Sequence, residues 1–143
     1  MTPELALSLD LQPHPEGGWY RETWRSPVVV TLPDGRERAT GTLIWFLLPA
    51  GESSRWHRVR SDEIWLAHTG RVRLELGGDG PVPVVAAVQE VSTSSPGEAQ
   101  VLVPAGVWQR TVPGSADALV SCLVSPGFDF DDFELVDEPL SSN

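Results

Sequence analysis

Between Gly51 and Gly70 the chain carries its densest set of chemically capable side chains, GESSRWHRVRSDEIWLAHTG. Two of the three histidines, His57 and His68, lie there with the adjacent acids Asp62 and Glu63. An imidazole and a carboxylate held on neighbouring strands support two chemistries. His57 and Glu63 could share a divalent ion, since nitrogen and oxygen donors together suit zinc, iron, nickel or manganese. Alternatively, His57 could act as a general base near neutral pH, oriented by Glu63. The residue types alone leave both open.

Strand alternation sorts the neighbours. If His57 points inward, Arg55 and Val59 do too, with Trp56 and Arg58 outside. On the next strand Glu63, Trp65 and Ala67 share one face, while Ile64, Leu66 and His68 share the other. His68 therefore turns away from Glu63 unless a bulge shifts it. It reads as a core or interface histidine, with ligand binding as the alternative. Arg55 has the parity to grip a phosphate or carboxylate beside His57, and Arg21, Arg25 and Arg60 are further candidates for that task. Trp65 counts among the ligand-binding candidates.

Two features lie upstream. His14-Pro15-Glu16-Gly17-Gly18 is either a tight turn, its glycines serving backbone conformation, or a pocket mouth lined by His14 and Glu16. Tyr20, the only tyrosine, is either a packing residue or the acid that a proton-transfer reaction needs opposite its base.

These groups must be positioned by a β-rich scaffold. With 13 Gly and 13 Pro in 143 residues, the chain reads as short strands separated by turns. A helix is expected over about residues 3–11, with Thr2 as its cap and Pro3 at its first position. A barrel is expected over about 19–126 and an acidic tail over 127–143, the whole forming one domain, 1–143. Strands are expected over 19–30 with a break near Pro27, and over 40–48, 55–59, 63–68, 82–91, 101–103, 107–112 and 118–124. In the 40–48 strand both faces are apolar, and both should be buried. A partner subunit covering the outer face would make the protein a homodimer.

Composition excludes several classes. The net charge is −10, and residues 76–143 carry ten acids against Arg110 alone, a field that repels nucleic acid. Lysine is absent, which rules out Schiff-base chemistry on a side chain. The single cysteine, Cys122, lies in an apolar run and reads as a buried, inert thiol. The first ten residues lack the basic start of a signal peptide, and no apolar run reaches membrane-spanning length. A cytoplasmic location, with no membrane partner, is the expectation.

The spacing Gly51-x5-His57-x-Val59-x3-Glu63-x6-Gly70 resembles the first signature of the cupins, and Pro104-Ala105-Gly106-Val107-Trp108-Gln109 resembles the second. Within that superfamily the chain is similar to the small single-domain cupin-5 proteins. HPEGGWYRET (14–23), SRWHRV (54–59), DEIW (62–65), VPAGVWQ (103–109) and PGFDFDDFE (126–134) carry the likeness over about residues 4–136. The resemblance implies an all-β fold, a double-stranded β-helix or jelly-roll barrel with a short N-terminal helix, usually homodimeric and related in fold to nucleotide-sugar epimerases. Val59 and Gln109 stand where cupins usually place histidine ligands. The retained set for a divalent metal is then His57, Glu63 and Gln109, although Gln109 suits hydrogen bonding to an organic ligand better, and no cofactor is predicted.

The resulting expectation is a pocket for a small polar molecule, such as a sugar or nucleotide sugar. One reading is a metal-independent epimerase or isomerase with His57 as base, Glu63 as its orienter and Tyr20 as a candidate acid. The others are a non-catalytic binding module and a metallo-cupin. Six tryptophans add flat rings that suit sugar faces.

Overall fold

The computed structural model describes residues 2–136. A five-residue helix, α1 (Glu4–Ser8), leads into β1 (Gln12–Pro13), β2 (Trp19–Arg25), β3 (Val29–Thr31), β4 (Glu37–Ala39), β5 (Thr42–Leu48), β6 (His57–Val59) and β7 (Asp62–Thr69). Then follow β8 (Arg71–Leu76), β9 (Ala87–Ser92), β10 (Gln100–Val103), β11 (Gln109–Val112), β12 (Ala118–Ser125) and β13 (Phe133–Leu135). Two antiparallel sheets, ordered β1-β2-β5-β12-β7-β10 and β13-β6-β11-β8-β9, form a jelly-roll barrel, with β3–β4 as a separate hairpin.

The core lies between the sheets. Phe46 and Leu48 of β5, Trp65 of β7, Val72 and Leu74 of β8, and Val120 and Cys122 of β12 pack there with Val91, Val101 and Val103. Strict alternation explains β8, which the sequence reading passed over between two glycine turns. Val72 and Leu74 point inward, while Arg71 and Arg73 stay exposed. The strand expected from residue 82 begins only at Ala87, because Pro81 and Pro83 cannot donate to a ladder. Cys122 is buried, and burial pushes its thiol well above the usual range; its partner is Glu63.

Three expectations need correction. The helix is shorter than residues 3–11: Pro3 is its N-cap and makes no side-chain cap bond. It stops at Ser8, and Asp10 takes a left-handed backbone, φ 57°. The outer face of β5 does not depend on a partner subunit alone. Ala6 and Leu11 pack on Leu47 and Leu119, flanked by Leu9, Trp19 and Trp45. Finally, the barrel does not end at residue 126. β13 pairs with β6, setting Phe133 opposite Val59 and Leu135 opposite His57. The segment before it is anchored by Asp132, a buried carboxylate held by Arg38 at 2.8 Å and Arg36 at 3.0 Å, as burying such a charge requires. Tail residues 137–143 lie outside the described residues. Among those described, no helix is long and apolar enough to cross a membrane.

Candidate functional site

The site begins with the HPEGG loop, whose backbone only glycine can follow. Gly17 and Gly18 have φ of 108° and 77°, and a Cβ on Gly17 would stand 2.2 Å from the Ser53 carbonyl oxygen. The loop thus lies directly on the 53–55 segment. Arg55 buckles the two together: its amide donates to the Glu16 carbonyl at 2.6 Å, and its guanidinium donates to the Pro15 carbonyl at 2.7 Å. Arg55 is not among the cavity-lining residues. Its guanidinium bond to the loop backbone gives it a positioning role.

Packed this way, the loop delivers Glu16 to His57. Glu16 Oε2 lies 3.2 Å from His57 Nε2, and Oε1 lies 3.4 Å from His14 Nδ1. His57 Nδ1 lies 2.7 Å from the Arg55 carbonyl oxygen. A carbonyl only accepts, so Nδ1 carries the proton, and Nε2 of the neutral ring presents its lone pair to Glu16. His14 is set the opposite way, since its Nδ1 accepts from the Glu16 amide at 3.1 Å. The groups that orient His57 are therefore the Arg55 carbonyl and Glu16. Glu63, expected in that role, is bonded elsewhere.

Burial governs protonation here. His57 is 2% exposed, and burial pulls its pKa down to about 4, against a smaller upward pull from the Arg55 carbonyl. Burial, with His57 close by, brings His14 down to about 3. Burial, reinforced by the Glu63 charge, pushes Glu16 well above the carboxylate range, while a bond from Ser54 opposes it. Burial thus favours the uncharged forms of both groups, with the Glu16 carboxyl as donor and the neutral His57 ring as acceptor. One proton lies between the two groups, and the loss of water favours its place on the carboxyl.

Glu63 forms the back of the pocket. Gln109 Nε2 donates to Glu63 Oε1 at 2.8 Å, and Trp65 Nε1 donates to Gln109 Oε1 at 2.9 Å. An indole N–H can only donate, which fixes the amide's orientation. Burial raises the Glu63 pKa, opposed by the bonds from Gln109 and Cys122. Gln109 is fully buried and, like Trp65, lies behind the cavity wall. Both support Glu63 from behind that wall. Removing the amide with Gln109→Ala strands a buried indole N–H and a buried carboxyl. A loss of about 2–4 kcal/mol is expected in urea denaturation.

His68 is also reassigned. It is exposed on the outer face, bonded to Ser121 Oγ at 2.7 Å and edge-on to Trp45 at 5.0 Å. The β12–β7 register does shift here, skipping His68 between Thr69 and Ala67, yet the side chain stays on the outer face.

The cavity has a volume of about 680 Å³, within the range that accepts small molecules. His14, Glu16, Tyr20, His57, Val59 and Glu63 line it with residues of β5 and the C-terminal segment. Tyr20 Oη accepts from Gln12 Nε2 at 3.4 Å, leaving its own proton to donate, and its ring meets His14 edge-on at 4.5 Å. Phe128, Phe130 and Phe133 complete the wall, with Phe133 stacked on His57 at 5.7 Å. The flat rings on the cavity are thus phenylalanines and Tyr20; no tryptophan lines it. Sequence reasoning missed these phenylalanines because they sit among acids in what reads as a solvated tail. Their signal was spacing: Phe128 and Phe130 are two apart, with Phe133 beginning a new strand.

The metal set His57, Glu63 and Gln109 does not fit this geometry. Gln109 turns its oxygen to Trp65 and is walled off from the cavity. His57 Nδ1 faces a carbonyl, and among the described residues no three His, Cys, Asp or Glu side chains converge as ligands.

A family model described as Cupin superfamily (DUF985), Cupin_5, matches residues 3–136. Among solved structures, a hypothetical protein from Leishmania major is 34% identical, with a TM-score of 0.79 over 95% of this chain and 88% of its own. Protein SO0799 from Shewanella oneidensis is 33% identical, with a TM-score of 0.81 over 96% and 86%. KdgF from a Halomonas species shares the fold at 20% identity, with a TM-score of 0.58 over 84% and 88%. No curated protein matches the chain.

Proposed function

The chain belongs to the Cupin_5 family of the cupin superfamily, and from that premise we propose that it is a proton-transferring epimerase or isomerase acting on a small polar molecule of the sugar class. The observation that carries this reading is the 3.2 Å contact between Glu16 Oε2 and His57 Nε2 on the cavity wall. A base that must remove a weakly acidic proton works best when its affinity is tuned toward neutrality and its site excludes water. Burial excludes water from the pair and raises the proton affinity of Glu16, which makes its carboxylate the stronger base of the two. In the proposed reaction, Glu16 in its carboxylate form takes the proton beside a carbonyl, and Tyr20, also on the cavity wall, returns one. Glu63 then hydrogen-bonds a hydroxyl of the bound molecule. The flat faces of Phe128, Phe130 and Phe133 suit the apolar side of a pyranose ring.

The test is a panel of aldoses, uronates and sugar nucleotides incubated with the protein in deuterium oxide and followed by proton NMR. Loss of one carbon-bound proton signal from one compound is the expected result. A panel that remains fully protonated, while one member is bound, points to the second reading, a binding module without turnover. One observation favours that alternative: both His57 nitrogens already have partners inside the protein.

A homodimer belongs to the same proposal. It draws on the family resemblance and on Trp24, Val28 and Val29, which remain 46–60% exposed at the end of β2 and around β3. Light scattering that gives a monomer mass at micromolar concentration removes it.

A further inference from the structure

Among the described residues, β3 and β4 pair only with each other and join neither sheet of the barrel. Two arginines of this hairpin nevertheless reach the far end of the chain. Arg38 forks onto Asp132, with Nε 2.8 Å from Oδ2 and Nη2 2.9 Å from Oδ1. Arg36 Nη1 lies 3.0 Å from the same Oδ1. The Asp132 side chain is only 4% exposed, so removing one partner leaves a buried charge uncompensated.

This clasp sits one residue before Phe133. The Phe133 ring lies over His57 at 5.7 Å and 28°, and so covers one face of the imidazole. Phe128 and Phe130 meet Phe133 edge-on at 6.1 and 5.8 Å, which packs the three rings as one wall. The start of the wall is tied to the same hairpin, since the Gly127 amide donates to the Ala39 carbonyl at 2.7 Å. β13 itself is three residues long and, among the described residues, pairs on one side only, with β6. So short an edge strand has few bonds to resist local opening. The clasp supplies the anchorage that the short ladder lacks.

We infer that Asp132, gripped by Arg36 and Arg38, is a positioning residue for the site: it acts through Phe133, keeping that ring on His57 and water off the imidazole. This rests on the reading of His57 as a member of the reacting pair. It gives the hairpin outside both sheets a task in the site, that of keeping the pair dry.

The test modifies the intact chain with diethyl pyrocarbonate, which acylates accessible neutral imidazoles, near neutral pH, and maps the sites by mass spectrometry. His68, exposed on the outer face, is the internal standard. Relative to His68, modification of His57 in Asp132→Asn should be at least ~10-fold faster than in wild type, as local opening of the strand requires. Phe133→Ala should show the same gain. The double variant should gain no more than Phe133→Ala alone, because residues acting through one contact are not additive. Val91→Ala, a fully buried core truncation on β9, lowers stability without touching the clasp and should leave His57 protected. Urea midpoints check that the variants are folded. If Asp132→Asn does not fold, Arg38→Gln takes its place, removing the fork while Arg36 stays on the carboxylate. A folded clasp variant in which His57 is as protected as in wild type overturns the inference. So does a double variant whose gain is the product of the single gains, or a Val91→Ala variant that exposes His57 equally. Deuterium exchange on the sugar panel judges the Glu16–His57 chemistry separately, so either idea can fall without the other.

Discussion

Glu16→Gln should abolish proton exchange into the substrate while leaving the protein at least as stable as wild type at pH 8. Glutamine has the same shape and can still donate to His57 Nε2, so packing and the hydrogen bond survive. What it cannot do is accept and release a proton. Losing a positioned acid–base group typically slows the step by about 10²–10⁴-fold, and His57→Asn should lose as much. The stability side follows from linkage. Glu16 has a folded pKa above its unfolded one, so its contribution is fully present below the unfolded value near 4.5 and is lost as pH rises through the folded value. The amide of the variant does not titrate and carries no such loss. The stability difference should therefore shift in the variant's favour between pH 5 and pH 8, as read from urea midpoints across that range.

His57 has the opposite sign. Its folded pKa of about 4 lies below the ordinary value of 6.5, so its contribution is present above pH 6.5 and is lost as pH falls toward 4. His14, brought down to about 3, adds to the same acid-side loss. The stability difference should therefore shift in favour of His57→Asn as pH falls from 6.5, because the asparagine does not titrate. A Glu16→Gln variant that loses stability relative to wild type as pH rises would contradict the assignment of a buried, protonated carboxyl.

Gly17→Ala should be among the most damaging single-methyl additions in the chain. The new Cβ would lie 2.2 Å from the Ser53 carbonyl oxygen and 3.3 Å from its carbon, both backbone, at a φ of 108°. No rotamer relieves a Cβ clash, so the loop must lift from the 53–55 segment. That movement breaks the Arg55–Glu16 and Arg55–Pro15 bonds and withdraws Glu16 from His57. A loss of about 2–4 kcal/mol is expected, combining strain, clash and lost bonds. Gly35→Ala provides the control. Its φ is 92°, but nothing lies within 4 Å of the added carbon, so only the backbone preference is lost, about 1–2 kcal/mol. Urea denaturation of the two variants measures the steric part as their difference. Gly17→Ala should also mimic Glu16→Gln in the exchange assay; equal stability of the two glycine variants would show that the loop does not rest on Ser53.

The barrel and its inner face were legible in the sequence because they follow from local rules. Continuous apolar runs in Thr42–Leu48 and Ala118–Ser125 mark buried strands, Pro-Gly pairs mark turns, and the spacing puts His57 and Glu63 on consecutive strands, which pair in different sheets. Parity alone also placed His68 on the outer face, where it is bonded to Ser121.

What sequence could not supply were pairings that depend on packing between distant segments. The sequence itself nominated His14 and Glu16, but only as lining for a pocket mouth. That Glu16 bonds His57, forty-one positions away, depends on a glycine backbone lying against Ser53 and on Arg55 joining the two segments. The same limit explains Gln109, whose spacing marks a ligand position but whose amide is turned by Trp65 toward Glu63. It also explains the Phe128–Phe133 wall, which reads as an acidic tail until Arg36 and Arg38 draw Asp132 inward. Spacing along a strand sets which way a side chain points; only the folded contacts set what it meets and, through burial, whether it carries a proton.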